Sequence, residues 1–131
     1  MTNRVILDTT IVILAVRADE TILAHLARHP RKELATTAIT LAELEYGSRL
    51  SHAPAIHRAA WQAVLRNLPV LSFTREEAPE HARLRDLLRE HPIGERDLLI
   101  AAIAVTHRCA VATRNAGEFR RVRGLKVVGW G

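Results

Sequence analysis

The run Glu95-Arg-Asp-Leu-Leu-Ile-Ala-Ala-Ile-Ala-Val-Thr-His107, followed at once by Ala110-Val-Ala-Thr113, decides the fold. The first stretch has helical length and is apolar almost all round, which is the mark of a buried helix. The second is a short continuous apolar run after a two-residue break, as expected for a buried strand. Working outward, the same alternation recurs. Arg4-Val-Ile-Leu7 ends at Asp8 and reads as a buried strand. A short helix through Val16 and a second over Glu20–Arg28 follow, then a strand over Leu34–Ile39. A helix over Thr40–Leu50, with a break near Gly47, precedes one from Pro54 to Leu68, stopped by Pro69. Val70–Phe73 reads as the third strand, Arg75–Glu90 as a helix broken by Pro92-Ile93-Gly94, and Lys126–Gly129 as the fifth strand. Short apolar strands alternating with helices define an α/β fold: a mostly parallel central sheet with helices on both faces.

The chain has 131 residues, which predicts a single domain over 1–131 with a core large enough to need no disulfides or structural metal. Cys109 is the lone cysteine, so no internal bridge exists, and no Cys/His set has zinc-finger spacing. A reducing, cytoplasmic location is expected. The longest apolar run, Leu98–Val105, is eight residues, too short to span a bilayer. The apolar N-terminal stretch carries Asp8 and lacks a cleavage site, so no signal peptide is expected.

Lys and Arg number 19 against 14 Asp and Glu, a net charge of +5. Only Lys32 and Lys126 are lysines. Arginine's planar fork matches phosphate, so this balance favours a polyanionic partner. The aromatics are few (Tyr46, Trp61, Phe73, Phe119, Trp130), which argues against a base-stacking platform. Nucleic acid would be held mainly through its phosphates.

In a parallel α/β sheet, strand C-termini and helix N-termini share one edge, and ligands bind there. Four acids fall on that edge. Asp8 closes the first strand, and Glu43 lies three residues after Thr40. Asp97 enters the most apolar helix, and Glu118 follows the fourth strand, three residues after Asn115. Each has a plain structural reading: Asp8 as an N-cap, Thr40-x-x-Glu43 and Asn115-x-x-Glu118 as capping boxes, Asp97 as a partner of the helix dipole. Together they repel unless a cation lies between them. Oxygen-only ligands suit a hard divalent ion, Mg²⁺ or Mn²⁺. Such an ion acidifies water for attack on a phosphodiester. The residues alone thus point to metal-dependent phosphodiester hydrolysis.

These stretches resemble the PIN-domain ribonucleases, in particular the VapC-type toxins of toxin–antitoxin pairs. The resemblance is carried in order by Val5-Ile-Leu-Asp8-Thr-Thr10, Thr40-Leu-Ala-Glu43-Leu-Glu45-Tyr46-Gly47, Ile93-Gly-Glu-Arg-Asp97-Leu-Leu-Ile-Ala-Ala102 and Val111-Ala-Thr113-Arg-Asn115-Ala-Gly-Glu118-Phe119. The tail from Gly124 to Trp130 fits as well. The resemblance implies a PIN-like three-layer sandwich and a Mg²⁺-dependent endoribonuclease. Asp8 and Asp97 would be the main metal ligands, with Glu43 completing the set or positioning water. Glu118 would help hold a second metal. Thr10, Thr113 and Asn115 would support the site by hydrogen bonds. A homodimer, held inactive by a cognate antitoxin lying over the acidic groove, is implied too. Thr10 departs from the family's usual Asn, and Glu118 from its usual Asp.

Arg96, Arg114, Arg120 and Arg121 cluster near these acids and are candidates for gripping RNA phosphates or pairing with surface acids. Glu45 and the seven histidines read as surface residues, Cys109 as a small buried hydrophobe and Trp61 as core. Two rivals remain. One is a catalytically weak PIN-fold module that binds nucleic acid and acts with an antitoxin. The other is a phospho-acceptor at Asp8, which needs a lysine near the last strands, with Lys126 the sole candidate.

Overall fold

The computed structural model describes residues 4–114 and 116–131. Strands β1 (Val5–Leu7), β2 (Leu34–Thr37), β3 (Val70–Leu71), β4 (Ala110–Thr113) and β5 (Val127–Gly129) form one sheet in the order β3-β2-β1-β4-β5. Every strand pairing is parallel. Six helices accompany it: α1 (Thr9–Val16), α2 (Glu20–Arg28), α3 (Ala38–Leu50), α4 (Pro54–Leu65), α5 (Ala78–Leu87) and α6 (Glu95–His107). None is long and apolar enough to cross a membrane.

Strand side chains alternate between the two faces of a sheet. Here the alternation sorts the core into two clusters. Ile6, Ala35 and Val111 pack with Leu84 of α5 and with Leu98, Ala101 and Ile103 of α6. Leu7, Leu34 and Ala112 pack on the other side with Ile11, Ile22, Leu44 and Trp61, from α1 to α4. The result is the expected three-layer sandwich. Helix α6 explains its own composition. Leu98 and the residues from Ile100 to Ala104 are all buried, wedged between the sheet and α5.

Several boundaries differ from the sequence reading. Helix α3 starts at Ala38 because Thr37, not Thr40, is its cap: Thr37 Oγ1 accepts from the Thr40 N–H at 3.2 Å. The Thr40-x-x-Glu43 capping box is therefore absent, and both residues lie inside the helix. Gly47 does not interrupt α3, and a Cβ there would meet His57 of α4 at an ordinary 3.6 Å. Helix α4 stops at Leu65 because Asn67 turns the chain at φ 64, a left-handed position that Asn tolerates. Helix α5 begins only at Ala78, with Pro79 in its first turn.

The histidines are more structural than expected. His25 stacks on the buried Trp130 at 4.9 Å, and His29 tilts against it at 5.1 Å. The Ser48 hydroxyl and His57 Nδ1 share a hydrogen bond at 2.7 Å, and Trp61 Nε1 donates to the same hydroxyl at 3.0 Å. Trp61 and Cys109 are buried, and Glu45 is exposed and paired with Arg58.

Candidate metal centre

Strand order reverses direction around β1 and β4, the point where parallel α/β sheets open a crevice at their C-terminal edge. Asp8 follows β1 there. Its N–H donates to Ala112 O of β4 at 3.2 Å, and its Oδ1 accepts from the Ile11 N–H at 3.0 Å and from Thr10 Oγ1 at 2.6 Å. Asp8 is thus the N-cap of α1 as well as a carboxylate of the candidate site. Burial pushes its pKa up, opposed in part by hydrogen bonds from Thr10, Thr113 and the α1 backbone. Thr113, buried at the end of β4, reaches the same carboxylate.

Asp97 stands in the first turn of α6, facing Asp8 across this crevice. Its pKa is pushed up to about 7, first by burial, then by a hydrogen bond with Glu118 and by the charges of Glu118, Asp8 and Glu43. Glu118 is held from the other side. Its Oε1 accepts from the Gly94 N–H at 3.2 Å, and the hydrogen bond with Asp97 is the main cause of its lowered pKa. Glu43, on the second turn of α3, accepts from Thr9 Oγ1 at 2.8 Å and from Arg96 Nη1 at 3.0 Å, one on each carboxylate oxygen.

The fold therefore gathers all four acids named from the sequence. Among the described residues, the one trio of acid or histidine ligand atoms within 4.8 Å of one another is elsewhere, formed by Glu76, Glu77 and His107. That trio lies at the far end of α6, roughly 15 Å from Asp97 by helical rise. Glu77 is already saturated: Oε1 accepts from the Thr74 N–H at 2.6 Å and Thr74 Oγ1 at 2.7 Å, and Oε2 bonds His107 Nε2 at 2.7 Å. Burial raises the Glu77 pKa, and these hydrogen bonds more than offset it, so it lies below the ordinary value. This reads as a buried strut between α5 and α6. The open carboxylate cluster fits a hard divalent cation better. Its donors are all oxygens, and the crowded negative charge that helps raise the Asp97 pKa is what a cation would relieve.

Thr9 was not singled out in the sequence. It follows Asp8 directly, but the helical turn of about 100° per residue sends its hydroxyl to Glu43 while that of Thr10 returns to Asp8. Asn115 lies outside the described residues. Of the four arginines, Arg96 pairs with Glu43, and Arg114 with Asp19 at 3.3 Å. Arg121 donates to the carbonyls of His91 at 3.5 Å and Pro92 at 3.1 Å. Arg120 is exposed, with Nη2 over Gly129. Lys126 directly precedes β5, at the opposite edge of the sheet from Asp8, so a phospho-acceptor site at Asp8 has no lysine.

A five-stranded parallel sheet with four acids at its switch point defines a class, and the chain belongs to it. The PIN domain family model matches residues 5–125. The tRNA(fMet)-specific endonuclease VapC of Salmonella typhimurium is 33% identical over 96 residues, covering 72% of this chain and 73% of that protein. Ribonuclease VapC2 of Haemophilus influenzae is 32% identical over 127 residues, covering 95% and 96%. Among solved structures, DNA-bound VapBC from Salmonella typhimurium matches with a TM-score of 0.90 at 28% identity, over 99% of this chain and 100% of that one.

Proposed function

We propose that this chain is a divalent-metal-dependent endoribonuclease, the toxin of a toxin–antitoxin pair, cleaving RNA at the Asp8, Glu43, Asp97 and Glu118 cluster. The observation that carries the reading is the convergence of Asp8, Glu43, Asp97 and Glu118 on the C-terminal edge of the sheet beside β1 and β4, where burial and the facing carboxylates push the Asp97 pKa up to about 7. A site with that much unbalanced negative charge is organised for a cation. Bound there, Mg²⁺ or Mn²⁺ would lower the pKa of water and offset charge on the phosphodiester oxygens.

The chain's own residues divide the work. Asp8 and Asp97 would hold the ion from opposite sides of the crevice. Thr10 and Thr113 fix the Asp8 carboxylate through its hydrogen bonds. Glu43, oriented by Thr9, would orient water toward the phosphorus. Glu118, anchored on the Gly94 N–H and kept ionised by its lowered pKa, would help hold an ion beside Asp97, whose proton would pass to solvent. The net charge of +5 favours a polyanionic substrate.

Neighbours solved as VapBC complexes support a cognate antitoxin as partner, and we further propose a homodimer as the assembly and the cytoplasm as the location. The name of the Salmonella relative makes initiator tRNA the first substrate to try. Water as the attacking group predicts products ending in 5′-phosphate and 3′-hydroxyl. End-group analysis of RNA cut by the antitoxin-free protein tests this. A 2′,3′-cyclic phosphate would mean attack by the neighbouring ribose hydroxyl and would overturn the mechanism.

A further inference from the structure

We propose that a cavity at the opposite edge of the sheet, lined by Arg4, Arg108 and Lys126, is a second site that binds the phosphates of the RNA backbone away from the cut. The cavity encloses about 710 Å³ where the strands begin and α6 ends, and no acidic side chain lines it. Arg4 precedes β1, Arg108 follows α6, and Lys126 precedes β5, so three separate elements deliver a cation to one place. His29 completes the polar wall. Arg108 and Lys126 are exposed, and among the described residues neither takes part in an ion pair. At the acid cluster, by contrast, Arg96 and Arg114 are paired with carboxylates.

The backbone of Arg108 is a second, independent observation. It caps α6 with φ 56 and ψ 41, the left-handed position where glycine is the ordinary choice. A long cationic side chain sits there against local conformational preference. The α6 carbonyls at this end attract a cation and account for Arg108, whereas Lys126 is delivered by the segment that leads into β5. Arginine and lysine converging on a concave surface free of carboxylates match phosphate oxygens. The cavity lies about 16 Å from Asp97, taking 1.5 Å per residue along α6, and RNA reaching both sites would pass around the edge of the sheet.

The assignment to RNA rests on the ribonuclease reading, whereas the affinity for phosphate does not. The test is fluorescence anisotropy with a labelled single-stranded RNA, in EDTA so that nothing is cut, on antitoxin-free wild type, R108G and K126Q. Glycine suits the Arg108 backbone, so R108G keeps or raises Tm while removing the charge. Each variant is expected to bind several-fold more weakly and to lower the slope of log affinity against log salt by about 0.7. Inorganic tripolyphosphate, as a competitor, separates two sources of the same chemistry. Displacement of the RNA means that clustered phosphate suffices, and failure to displace it means that the spaced backbone is read. RNA affinity, salt slope and tripolyphosphate binding all unchanged in both variants would overturn the proposal. Charge-dependent binding by a protein that cuts no RNA in Mg²⁺ or Mn²⁺ would sink the ribonuclease reading and leave this site standing.

Discussion

The Asp97 and Glu118 carboxyls share a hydrogen bond across the mouth of the crevice, with the proton on Asp97 up to about pH 7 and Glu118 charged beside it. The folded pKa of Asp97 lies above its ordinary 3.8. Its contribution to stability is therefore present in acid and is lost as pH rises from about 4 through 7. Glu118 acts oppositely and in a lower window: its lowered pKa stabilises above the ordinary 4.5 and is lost below it. In metal-free protein, D97N should raise Tm over wild type by more at pH 8 than at pH 5, by roughly 2–5 °C. Thermal melts in EDTA at the two pH values check this, and an equal gap at both would contradict it.

Thr9 holds one oxygen of Glu43. T9V keeps the shape and removes the donor. A lost hydrogen bond to a charged group predicts roughly a tenfold fall in kcat/KM, with Tm little changed. Single-turnover cleavage beside a melting curve separates this from a folding defect.

Arg96 holds the other oxygen. That pair is exposed and individually weak. Its charge also competes with any cation for Glu43. R96Q should therefore tighten Mn²⁺ binding by roughly two- to fivefold. Titration followed by Mn²⁺ paramagnetic resonance reads this without any RNA. Weaker binding would show that Arg96 mainly orients Glu43 for the ion.

Glu77 is 1% exposed and joins Thr74, in the turn before α5, to His107 at the end of α6. E77A leaves those partners unpaired and should cost about 2–4 kcal/mol in urea denaturation. Cleavage below the transition should stay within about twofold, because Asp97 lies roughly 15 Å away along α6. A large loss of activity in folded E77A would show that this strut sets the geometry of the crevice.

The legible parts of the sequence were those governed by local pattern. Helix α6 and strand β4 were readable to the residue because an apolar helix and an apolar strand leave little ambiguity once a break separates them. The edge that Asp8 and Asp97 share was readable because parallel topology dictates where strand ends and helix starts fall. What depended on side chains far apart in sequence was hidden. The bond between Glu77 and His107 spans 30 positions, and that between Arg96 and Glu43 spans 53. Thr9 was missed by a single step of helical phase. The α3 cap was misplaced because Thr36, Thr37 and Thr40 all suit it, and only the end of β2 selects Thr37.

The central claim is that these carboxylates cut RNA with a divalent ion, and its most direct test is cleavage by the purified, antitoxin-free protein. Mg²⁺, Mn²⁺ and EDTA would be compared on initiator tRNA and a total RNA pool, beside D97N. The account predicts cleavage with either ion, none in EDTA, and a loss of at least about a hundredfold in D97N. Cleavage that persists in EDTA, or that D97N retains in full, would contradict it. So would a folded protein that cuts no RNA under any of these conditions.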